Sequence, residues 1–409
     1  METLDTSTFA GVRVVELAQF VFVPGAGAIL ADLGAEVIHV EEPKNGDPYR
    51  SLRINDGRQT ASANLAMEQN NRGKKSLALD LKSPEGREVF FRLIASADVF
   101  LTSLRPGAIE RLGLGVEALR THNPKLIYVR GNGTGFAGPG ADRAGYDASC
   151  FWARGGFADV LRPQGYQEPI LPRPALGDHA GSTSVALGIA SALFRRERTG
   201  TPSVVDVSLL STAMWAMGGT IAVSQDMGMA WQAPPAGAPA APFNPLIGYF
   251  GTADGRFIMF SMLQGFHYWP EVCGRLDRTD LVGDPRFDSN ERLMENAGVG
   301  AEILRGEIAK YTLEEIKERL TGMRGQWAIV QDSIEIADDP QVVANGYLQD
   351  LEWDGYKYKL VATPVQFGEE PSVPGKSPEF NEHGEQILTE QLGLDWDTVI
   401  DLKVKGVVA

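Results

Sequence analysis

Asp178 is the residue whose type and surroundings point most directly to chemistry. It lies in the segment Gly177–Ser182, directly before a run of small and apolar residues at 183–194. This pattern predicts a carboxylate at the start of a helix, where backbone N–H groups and the helix dipole favour the ionised form. An ionised, accessible carboxylate can attack a carbonyl carbon and form a covalent acyl intermediate. The alternative is a plain N-cap without a chemical role, because aspartate is favoured there in any helix.

Two further candidate catalytic residues, Tyr146 and Asp147, follow a glycine-rich stretch at 131–140. The Tyr146 hydroxyl can donate a hydrogen bond to a substrate carbonyl, and the Asp147 carboxylate can orient a group or transfer a proton. The alternative is a loop aromatic packed on the core. Next along the chain, Phe151 and Trp152 either line an apolar pocket or belong to the core, which is the more common fate of such side chains.

Two basic turns are candidate anion sites. The turn Asn70–Ser76 precedes a predicted strand, and Arg72, Lys74 and its backbone N–H groups can hold a phosphate. Arg105 and Arg111 follow another predicted strand, and ligands of open α/β sheets bind outside the carboxyl ends of strands. Either turn can instead be an ordinary solvated part of the surface.

Strands and helices alternate over the first 131 residues, which predicts a parallel, doubly wound α/β sheet. Gly25 and Gly27 follow the first strand, but the third glycine of a dinucleotide-binding fingerprint is missing. A further strand at 202–208 leads into one long apolar helix at 209–227. The other predicted strands are 12–17, 36–40, 76–80, 98–101 and 126–129, and the predicted helices between them are 24–33 and 84–97.

A Pro/Ala-rich loop at 233–242 indicates a domain boundary, because it has no periodicity. Beyond it, the sequence predicts a hairpin with strands at 247–252 and 256–261, and then three helices. From about 331 the chain is expected to return to the first domain and to end in a helix at 382–392. We therefore expect a large domain at 1–225 and 331–409 and a small α+β domain at 226–330.

Composition limits the function. The chain has 409 residues and a net charge of −15, which argues against nucleic acid as a partner. No apolar run is long enough to span a membrane, and the acidic start, Met1–Asp5, does not have the pattern of a signal peptide. The two cysteines and five histidines lack metal-ligand spacing, so we expect no metal. We expect a cytoplasmic protein with reduced cysteines.

With these motifs in this order, the sequence resembles the class III CoA-transferases, the formyl-CoA and carnitine-CoA transferase family. The resemblance runs over nearly the whole chain, and its specificity comes from the number and order of the motifs. The matching segments are Gly11–Leu17, Leu30–Ile38, Asn71–Ser76, Leu104–Gly107, Arg111–Gly115, Gly177–Asp178, Thr199–Gly200, Val205–Ser208, Thr252–Gly255, Asp284–Phe287, Glu382–His383 and Gly406–Val407.

The resemblance implies that Asp178 is the acyl-accepting nucleophile and that acyl-CoA and a carboxylic acid are the substrates, with no permanently bound cofactor. Backbone N–H groups near Gly177 and His179 are then candidates to hold the developing oxyanion. The resemblance also implies a Rossmann-like large domain built from both termini, and a homodimer of two interlocked chains. The residues implied to contact CoA are Asn71, Arg72, Gly73, Lys74, Leu104, Arg105, Arg111, Gly145 and Tyr146.

Two departures from the relatives bear on the reaction. The α-methylacyl-CoA racemases resemble this chain but carry a histidine where it has Tyr146, and racemisation needs an acid/base pair, so CoA transfer is favoured. The formyl-CoA enzyme has a glutamine near Val21 and a polyglycine lid in place of the loop 233–242. With Phe22, Phe151 and Trp152, this favours a larger apolar acyl group. A racemase or isomerase, a non-catalytic CoA-binding protein and a thioesterase remain alternatives.

Overall fold

A computed structural model describes residues 7–52, 64–172, 175–235, 243–353 and 355–409 of the chain. The chain divides into two compact units. The first unit comprises Met1–Leu161, Pro169–Trp231 and Pro340–Ala409, and the second comprises Arg162–Glu168 and Gln232–Asp339. The longer segment of the second unit, Gln232–Asp339, starts and ends a few residues later than the expected small domain at 226–330, and Arg162–Glu168 lies outside that expected range. Most of the expected boundary loop, residues 236–242, lies outside the described residues.

The first unit is built on a six-stranded parallel sheet. Its strands are β1 Arg13–Leu17, β2 Glu36–Glu41, β3 Lys75–Ala78, β4 Val99–Thr102, β5 Ile127–Asn132 and β6 Val204–Ser208. The strand order is β3-β2-β1-β4-β5-β6, and every neighbouring pair is parallel. This is the order of a doubly wound Rossmann-type sheet, so the predicted parallel α/β sheet is confirmed. The order reverses between β1 and β4, which is where such sheets form a ligand crevice.

Nine α-helices of the first unit lie before Gln232 among the described residues. They cover both faces of the sheet, as parallel strands buried on two sides require. They are α1 Phe22–Asp32, α2 Leu65–Asn71, α3 Pro84–Ala95, α4 Pro106–Leu112, α5 Val116–His122, α6 Phe157–Val160, α7 Leu176–Thr199, α8 Leu209–Ala216 and α9 Gly218–Met227.

The second unit is a small α+β structure around a three-stranded antiparallel sheet. Its first two strands form the hairpin expected from the sequence, and its core contains Trp269, Phe250 and Phe260. Its elements are β7 Ile247–Gly251, β8 Phe257–Ser261, α10 Gly265–Arg275, α11 Asn290–Glu295, α12 Ala297–Ile308, α13 Leu313–Leu320 and β9 Trp327–Ile329.

The C-terminal part of the chain completes the first unit. Leu79, just after β3, forms a β-bridge with Val408. The remaining elements are α14 Pro340–Asn345, the antiparallel pair β10 Leu348–Trp353 and β11 Tyr356–Val361, α15 Gly384–Gln386 and α16 Trp396–Val404. None of the described helices has both the length and the apolar character that a membrane span requires.

Two hydrophobic cores lie on opposite faces of the six-stranded sheet. One contains residues of α1, α7 and α8, with Val23, Val185 and Ile189 fully buried. The other contains residues of α3, α5 and the C-terminal helices, including Phe90 and Phe100. The core that contains α1 and α7 matters for the site, because these two helices carry its central residues.

The helix predictions need correction at several places. The described part of the second unit has four α-helices where the sequence predicted three, because Asn296 separates α11 from α12. The expected single helix at 209–227 is two helices, α8 and α9, which meet at Met217 before the poor helix formers Gly218 and Gly219. The helix expected at 382–392 is the short α15 followed by a π-helical turn, Ile387–Gln391. The helix α16 was missed, although its Asp395 N-cap, which accepts a hydrogen bond from Thr398 N, is a readable signal.

Candidate active site

A cleft of about 330 Å³ lies at the carboxyl ends of β1, β4 and β5. It therefore occupies the point where the strand order reverses, as expected for a ligand site in an open α/β sheet. Three segments after these strands line it, namely Gln19–Phe20, Ser103–Arg105 and Gly131–Gly133. The loop Arg143–Tyr146 and Asp178 also line it, together with Phe22, Ala108 and Leu209.

Asp178 is the third residue of α7 and not its N-cap. The N-cap is Ala175, whose backbone is left-handed with φ of 72°, and its methyl group offers no cap hydrogen bond. The chain therefore enters the helix earlier than the sequence pattern predicted. Asp178 projects from the first helical turn into the cleft and is only partly exposed.

Small residues bring α7 close to α1. A Cβ atom at Gly181 would clash with the ring of Phe22, and one at Gly25 would clash with Ser182. Ser182 Oγ lies 2.8 Å from the carbonyl oxygen of Phe22 and 2.9 Å from that of Asp178. This close packing positions the first turn of α7, and with it the Asp178 carboxylate, beside the start of α1.

Asp147 takes the capping role that the sequence assigned to Asp178. Its Oδ1 accepts a hydrogen bond from Gly177 N at 3.0 Å, and the N–H groups of Ala175, Leu176 and Asp178 also interact with its carboxylate. Asp147 is buried, and burial raises its pKa while these backbone N–H groups oppose the rise. By accepting hydrogen bonds from the first turn of α7, the Asp147 carboxylate satisfies backbone N–H groups that have no partner within the helix.

The environment of Asp178 disfavours its charge. Burial, and secondly the negative charge of Asp147, raise the pKa of Asp178 to about 7. The expectation that backbone N–H groups favour its ionised form is therefore wrong, because Asp147 accepts their hydrogen bonds. The backbone donors proposed for an oxyanion are also engaged, since Gly177 N bonds Asp147 and His179 N bonds the carbonyl of Ala175.

Tyr146 lies on the cleft wall. Its side chain is 61% exposed, and its hydroxyl has no hydrogen-bond partner among the residues that the structure describes. Its ring packs edge-on against Phe20, with centroids 5.3 Å apart. The residue immediately precedes Asp147 and a π-helical turn, Ala148–Ala153, a distortion that often marks functional sites. The structure thus brings Tyr146, Asp147 and Asp178 together.

A model of CoA-transferase family III matches residues 9–384 of the chain. The chain belongs to this family. The resemblance found in the sequence is thereby confirmed, and the protein is a transferase. It is 33% identical over 393 residues to a cinnamoyl-CoA:phenyllactate CoA-transferase of Clostridium sporogenes, with 94% of each chain covered.

Other relatives agree with this assignment. An (R)-2-hydroxy-4-methylpentanoate CoA-transferase of Clostridioides difficile is 29% identical, with 97% of this chain and 98% of the relative covered. The crystal structure of a CaiB/BaiF family protein from Brucella suis superposes with a TM-score of 0.79 at 27% identity, over 94% of this chain and 99% of that one.

Several CoA-contact candidates of this family III transferase lie at the cleft. Leu104, Arg105, Gly145 and Tyr146 line it directly. Arg105 is exposed, and its Nη1 donates a hydrogen bond of 3.3 Å to the carbonyl oxygen of Asp142. Arg111 is not among the lining residues, although its guanidinium lies near Gly107 on the same helix. The cleft therefore has a basic edge, although the protein as a whole is acidic.

The Asn71–Lys74 turn is organised differently from the sequence expectation. Arg72 is buried and paired with Asp32 at 2.7 Å. Lys74 is buried and donates hydrogen bonds to Glu16, to the carbonyl of Pro24 and to Asn71. These contacts satisfy both charges inside the protein, so neither side chain is presented to a phosphate. None of Asn71, Arg72, Gly73 and Lys74 lines the cleft.

The apolar pocket candidates divide into two groups. Phe22 lines the cleft together with Phe20 and Leu209. Phe151 and Trp152 stack on Phe157 and belong to the core, which is the second of the two places that the sequence left open for them, so they do not line the cleft. Val21 is buried in a small cluster with Tyr49, Met67 and Ala175 behind the cleft wall.

Sequence reasoning missed several residues of the cleft, among them Gln19, Phe20, Arg143 and Leu209. Gln19 and Phe20 directly follow β1, so the rule that placed Arg105 at the carboxyl edge also applied to them. Arg143 stands three residues before Tyr146, and no hydrogen bond or ion pair of its side chain occurs in the described part of the chain. Leu209 begins the helix after β6 and carries no signal that distinguishes it from a core residue.

Proposed function

We propose that the protein moves CoA between an acyl-CoA thioester and a free carboxylic acid, with Asp178 as a covalent carrier. The observation that carries this proposal is the position of the Asp178 carboxylate, in the first turn of α7 and in the cleft at the strand-order reversal. A thioester and a carboxylic acid exchange with little net change in free energy, so the reaction needs no nucleotide hydrolysis.

The proposed reaction proceeds in four balanced steps. The Asp178 carboxylate attacks the thioester carbonyl, which forms an aspartyl–acyl anhydride and releases CoA thiolate. The thiolate attacks the aspartyl carbonyl, which gives an aspartyl-CoA thioester and releases the donor acid. The acceptor carboxylate then attacks this thioester, and a new anhydride and CoA thiolate form. Attack of the thiolate on the acceptor's carbonyl yields the new acyl-CoA and restores Asp178.

The raised pKa suits the nucleophilic role of Asp178. With a pKa of about 7, the Asp178 carboxylate is more basic than an ordinary one and is still substantially ionised at neutral pH. Tyr146 is the proposed hydrogen-bond donor to the carbonyl oxygen, because its hydroxyl is exposed at the same cleft. Asp147 is proposed to set the position and charge of Asp178.

A second, smaller cavity supports the binding of a long molecule such as CoA. It has a volume of about 150 Å³ and shares Gln19 and Leu104 with the cleft. Its other walls include Leu17, Leu81 and Leu112. We propose that the nucleotide end of CoA occupies this region, that Arg105 and the neighbouring Arg111 and Arg143 face its phosphates, and that the thiol reaches Asp178.

The acyl group is proposed to be apolar or aromatic. Phe20, Phe22 and Leu209 line the cleft near Asp178, and their surfaces favour an apolar substituent over a small, doubly charged acid. The names of the two relatives, a phenyllactate and a 2-hydroxy-4-methylpentanoate CoA-transferase, support the same class.

The decisive experiment supplies a panel of acyl-CoA donors with aromatic, branched-chain and dicarboxylic acceptors, and identifies the products by mass spectrometry. Asp178→Ala and Asp178→Asn should abolish transfer but retain CoA binding, whereas the exposed Asp397→Asn in α16 should transfer at the wild-type rate. Wild-type protein mixed with donor alone should carry acyl or CoA mass on Asp178. Full transfer by Asp178→Ala would refute the carrier role.

The same mixtures distinguish the alternatives. An isomerase or racemase would exchange the α-hydrogen of an acyl-CoA for deuterium without any acceptor acid. A thioesterase would release free CoA without an acceptor, and a CoA-binding protein would form no covalent adduct. The presence of Tyr146 where racemases carry histidine favours transfer over α-hydrogen exchange.

We also propose that the protein is a homodimer. Exposed apolar side chains lie along α7 and α8, including Leu187, Phe194 and the 89% exposed Trp215. A second copy would cover part of this surface. Light scattering gives the oligomeric state, and slow exchange between differently labelled chains would support the interlocked arrangement. The buried free thiols Cys150 and Cys273 fit the proposed cytoplasmic location.

A further inference from the structure

Phe20 adopts a backbone conformation that its side chain does not favour. Its φ is 68°, in the left-handed region, and it lies in the loop between β1 and α1. Outside glycine, this conformation brings Cβ close to the following carbonyl and is disfavoured. The residue also lines the cleft that contains Asp178. A strained residue at the wall of a site requires neighbouring contacts that hold it there.

The Asp47 carboxylate provides such a contact. Phe20 N lies 3.3 Å from Oδ1 and 3.2 Å from Oδ2 of Asp47, and Tyr49 N donates to the same Oδ1 at 2.9 Å. Asp47 is only 2% exposed, and its own N–H donates to Glu41 at 2.9 Å. The hydrogen bond to Glu41 therefore fixes the backbone of Asp47, and the Asp47 carboxylate accepts the N–H group of the left-handed Phe20.

The conformation of Phe20 also bears on the opposite wall of the cleft. Its ring contacts Tyr146 edge-on at 5.3 Å and Tyr49 at 6.2 Å between centroids. Relaxation of the Phe20 backbone to a right-handed or extended conformation would redirect this ring and remove its support from Tyr146. Glycine would adopt the same backbone without strain, but it would provide no ring for this contact.

We propose that Asp47 is a positioning residue that holds Phe20 in its left-handed conformation and thereby shapes the cleft wall beside Tyr146. Asp47 does not line the cleft that contains Asp178, so it acts there through Phe20 and not on the reacting atoms. Asp47 also lines the smaller cavity proposed for CoA, and variants of Phe20 without the ring separate its hold on Phe20 from a direct effect in that cavity. The effect of Asp47 on acyl-CoA binding rests on the proposed function, whereas its hydrogen bond to Phe20 in the loop between β1 and α1 does not.

The test compares the effect of Asp47→Ala in three backgrounds, namely wild type, Phe20→Ala and Phe20→Gly. In the wild type, KM for acyl-CoA should rise about tenfold with kcat within about threefold, since ground-state and transition-state binding are lost alike. In the Phe20→Ala and Phe20→Gly backgrounds the same change should cost no more than about threefold, because the ring that Asp47 positions is absent from both. Asp47→Asn, which retains an acceptor oxygen, should stay within about threefold of wild type. A tenfold loss in the Phe20→Ala or Phe20→Gly background would overturn the proposal.

A second measurement does not depend on activity or on the stability of Asp47→Ala. Hydrogen exchange resolved to single residues should show the Phe20 amide protected in the wild type and exposed in Asp47→Ala. Rapid exchange at Phe20 in the wild type would refute the hold even if the variant fails to fold. If the wild type transfers no CoA but Phe20 is protected, the proposed function fails and the inference stands. If transfer occurs and Phe20 exchanges freely, only the inference fails.

Discussion

The Oδ1 atom of Asp147 accepts a hydrogen bond from the backbone N–H of Gly177, and this bond joins the loop after β5 to the first turn of α7. It brings a second carboxylate close to Asp178, the residue after Gly177. Asp147 thus does two things at once, because it satisfies backbone donors of the helix and raises the pKa of Asp178 with its charge. The two roles can be separated by substitution.

Asp147→Asn should shift the acid limb of the pH profile for CoA transfer toward lower pH. The amide oxygen still accepts from Gly177 N, but the negative charge that raises the pKa of Asp178 is gone. In the wild type, kcat/KM should rise with pH through about 7 as Asp178 ionises. Well above that pH both proteins have an ionised Asp178, so their rates should agree within about threefold.

The measurement is kcat/KM from pH 5 to 9 for the wild type, Asp147→Asn and Asp147→Ala. The alanine variant lacks the cap as well as the charge, so it should also lose stability, by about 1 kcal/mol. An unchanged acid limb in Asp147→Asn would mean that the charge of Asp147 does not raise the pKa of Asp178.

Asp178→Asn should be more stable than the wild type at pH 8. The pKa of Asp178 is raised from its ordinary value to about 7, so the ionised form is less favourable in the folded protein than in the unfolded chain. This cost is fully present above pH 7, falls as the pH decreases through 7, and is absent below the ordinary value of 3.8. At about 1.4 kcal/mol per unit, the gain at pH 8 should be roughly 2–4 kcal/mol.

Denaturant unfolding of the two proteins at pH 5 and pH 8 measures this gain. The difference should shrink at pH 5, and Asp397→Asn should show no such pH-dependent gain. A variant that is less stable than the wild type at both values would indicate that the Asp178 carboxylate makes a favourable contact in the folded state.

Gly181→Ala should destabilise the protein and distort the wall of the cleft at Phe22. The new Cβ would clash with the Phe22 ring, which packs between α1 and α7 and also lines the cleft. Overpacking of this kind costs about 1–3 kcal/mol. The matched control is Gly306→Ala in α12, where a Cβ atom meets no other atom within 4 Å. That change should be neutral or stabilising by up to about 1 kcal/mol.

Thermal unfolding and transfer kinetics of the two glycine variants check this expectation. The Gly181→Ala protein should also have a lower kcat/KM, since Phe22 must move into the cleft or away from it. Equal stability of both variants would show that the α1–α7 contact adapts without strain.

Arg143→Ala should weaken the binding of acyl-CoA more than it slows the reaction. Arg143 is exposed at the cleft, and its charge is proposed to face the CoA phosphates. We expect KM to rise about fivefold to tenfold with little change in kcat, which is the signature of lost uniform binding. The effect should decrease at high salt, because exposed charges are screened.

The control for Arg143 is Arg324→Ala in the second unit, where the guanidinium is 75% exposed. Its KM should match the wild type at every salt concentration. A salt-independent KM in both the wild type and Arg143→Ala would contradict a role for this charge in phosphate binding.

Local patterns in the sequence were enough to predict the parallel sheet and to single out Asp178, Tyr146, Asp147 and Arg105. Strand–helix alternation is a local pattern, and the rule that ligands bind at carboxyl ends of strands needs only the order of elements. The same local rules also predicted the hairpin of β7 and β8 from its turn and alternating apolar residues. The one helix missed near the end of the chain, α16, carried a local signal that was overlooked.

The pKa of Asp178 and the burial of the basic turn could not be predicted from local patterns, because both depend on contacts between distant segments. Arg72 and Lys74 are paired with Asp32 and Glu16, which lie 40 and 58 residues earlier in the chain, so no local pattern could show that their charges are buried. The pKa of Asp178 likewise depends on burial and on Asp147 from another loop. Burial and distant pairing arise when separate segments pack together, and they therefore depend on the folded arrangement rather than on spacing along the chain.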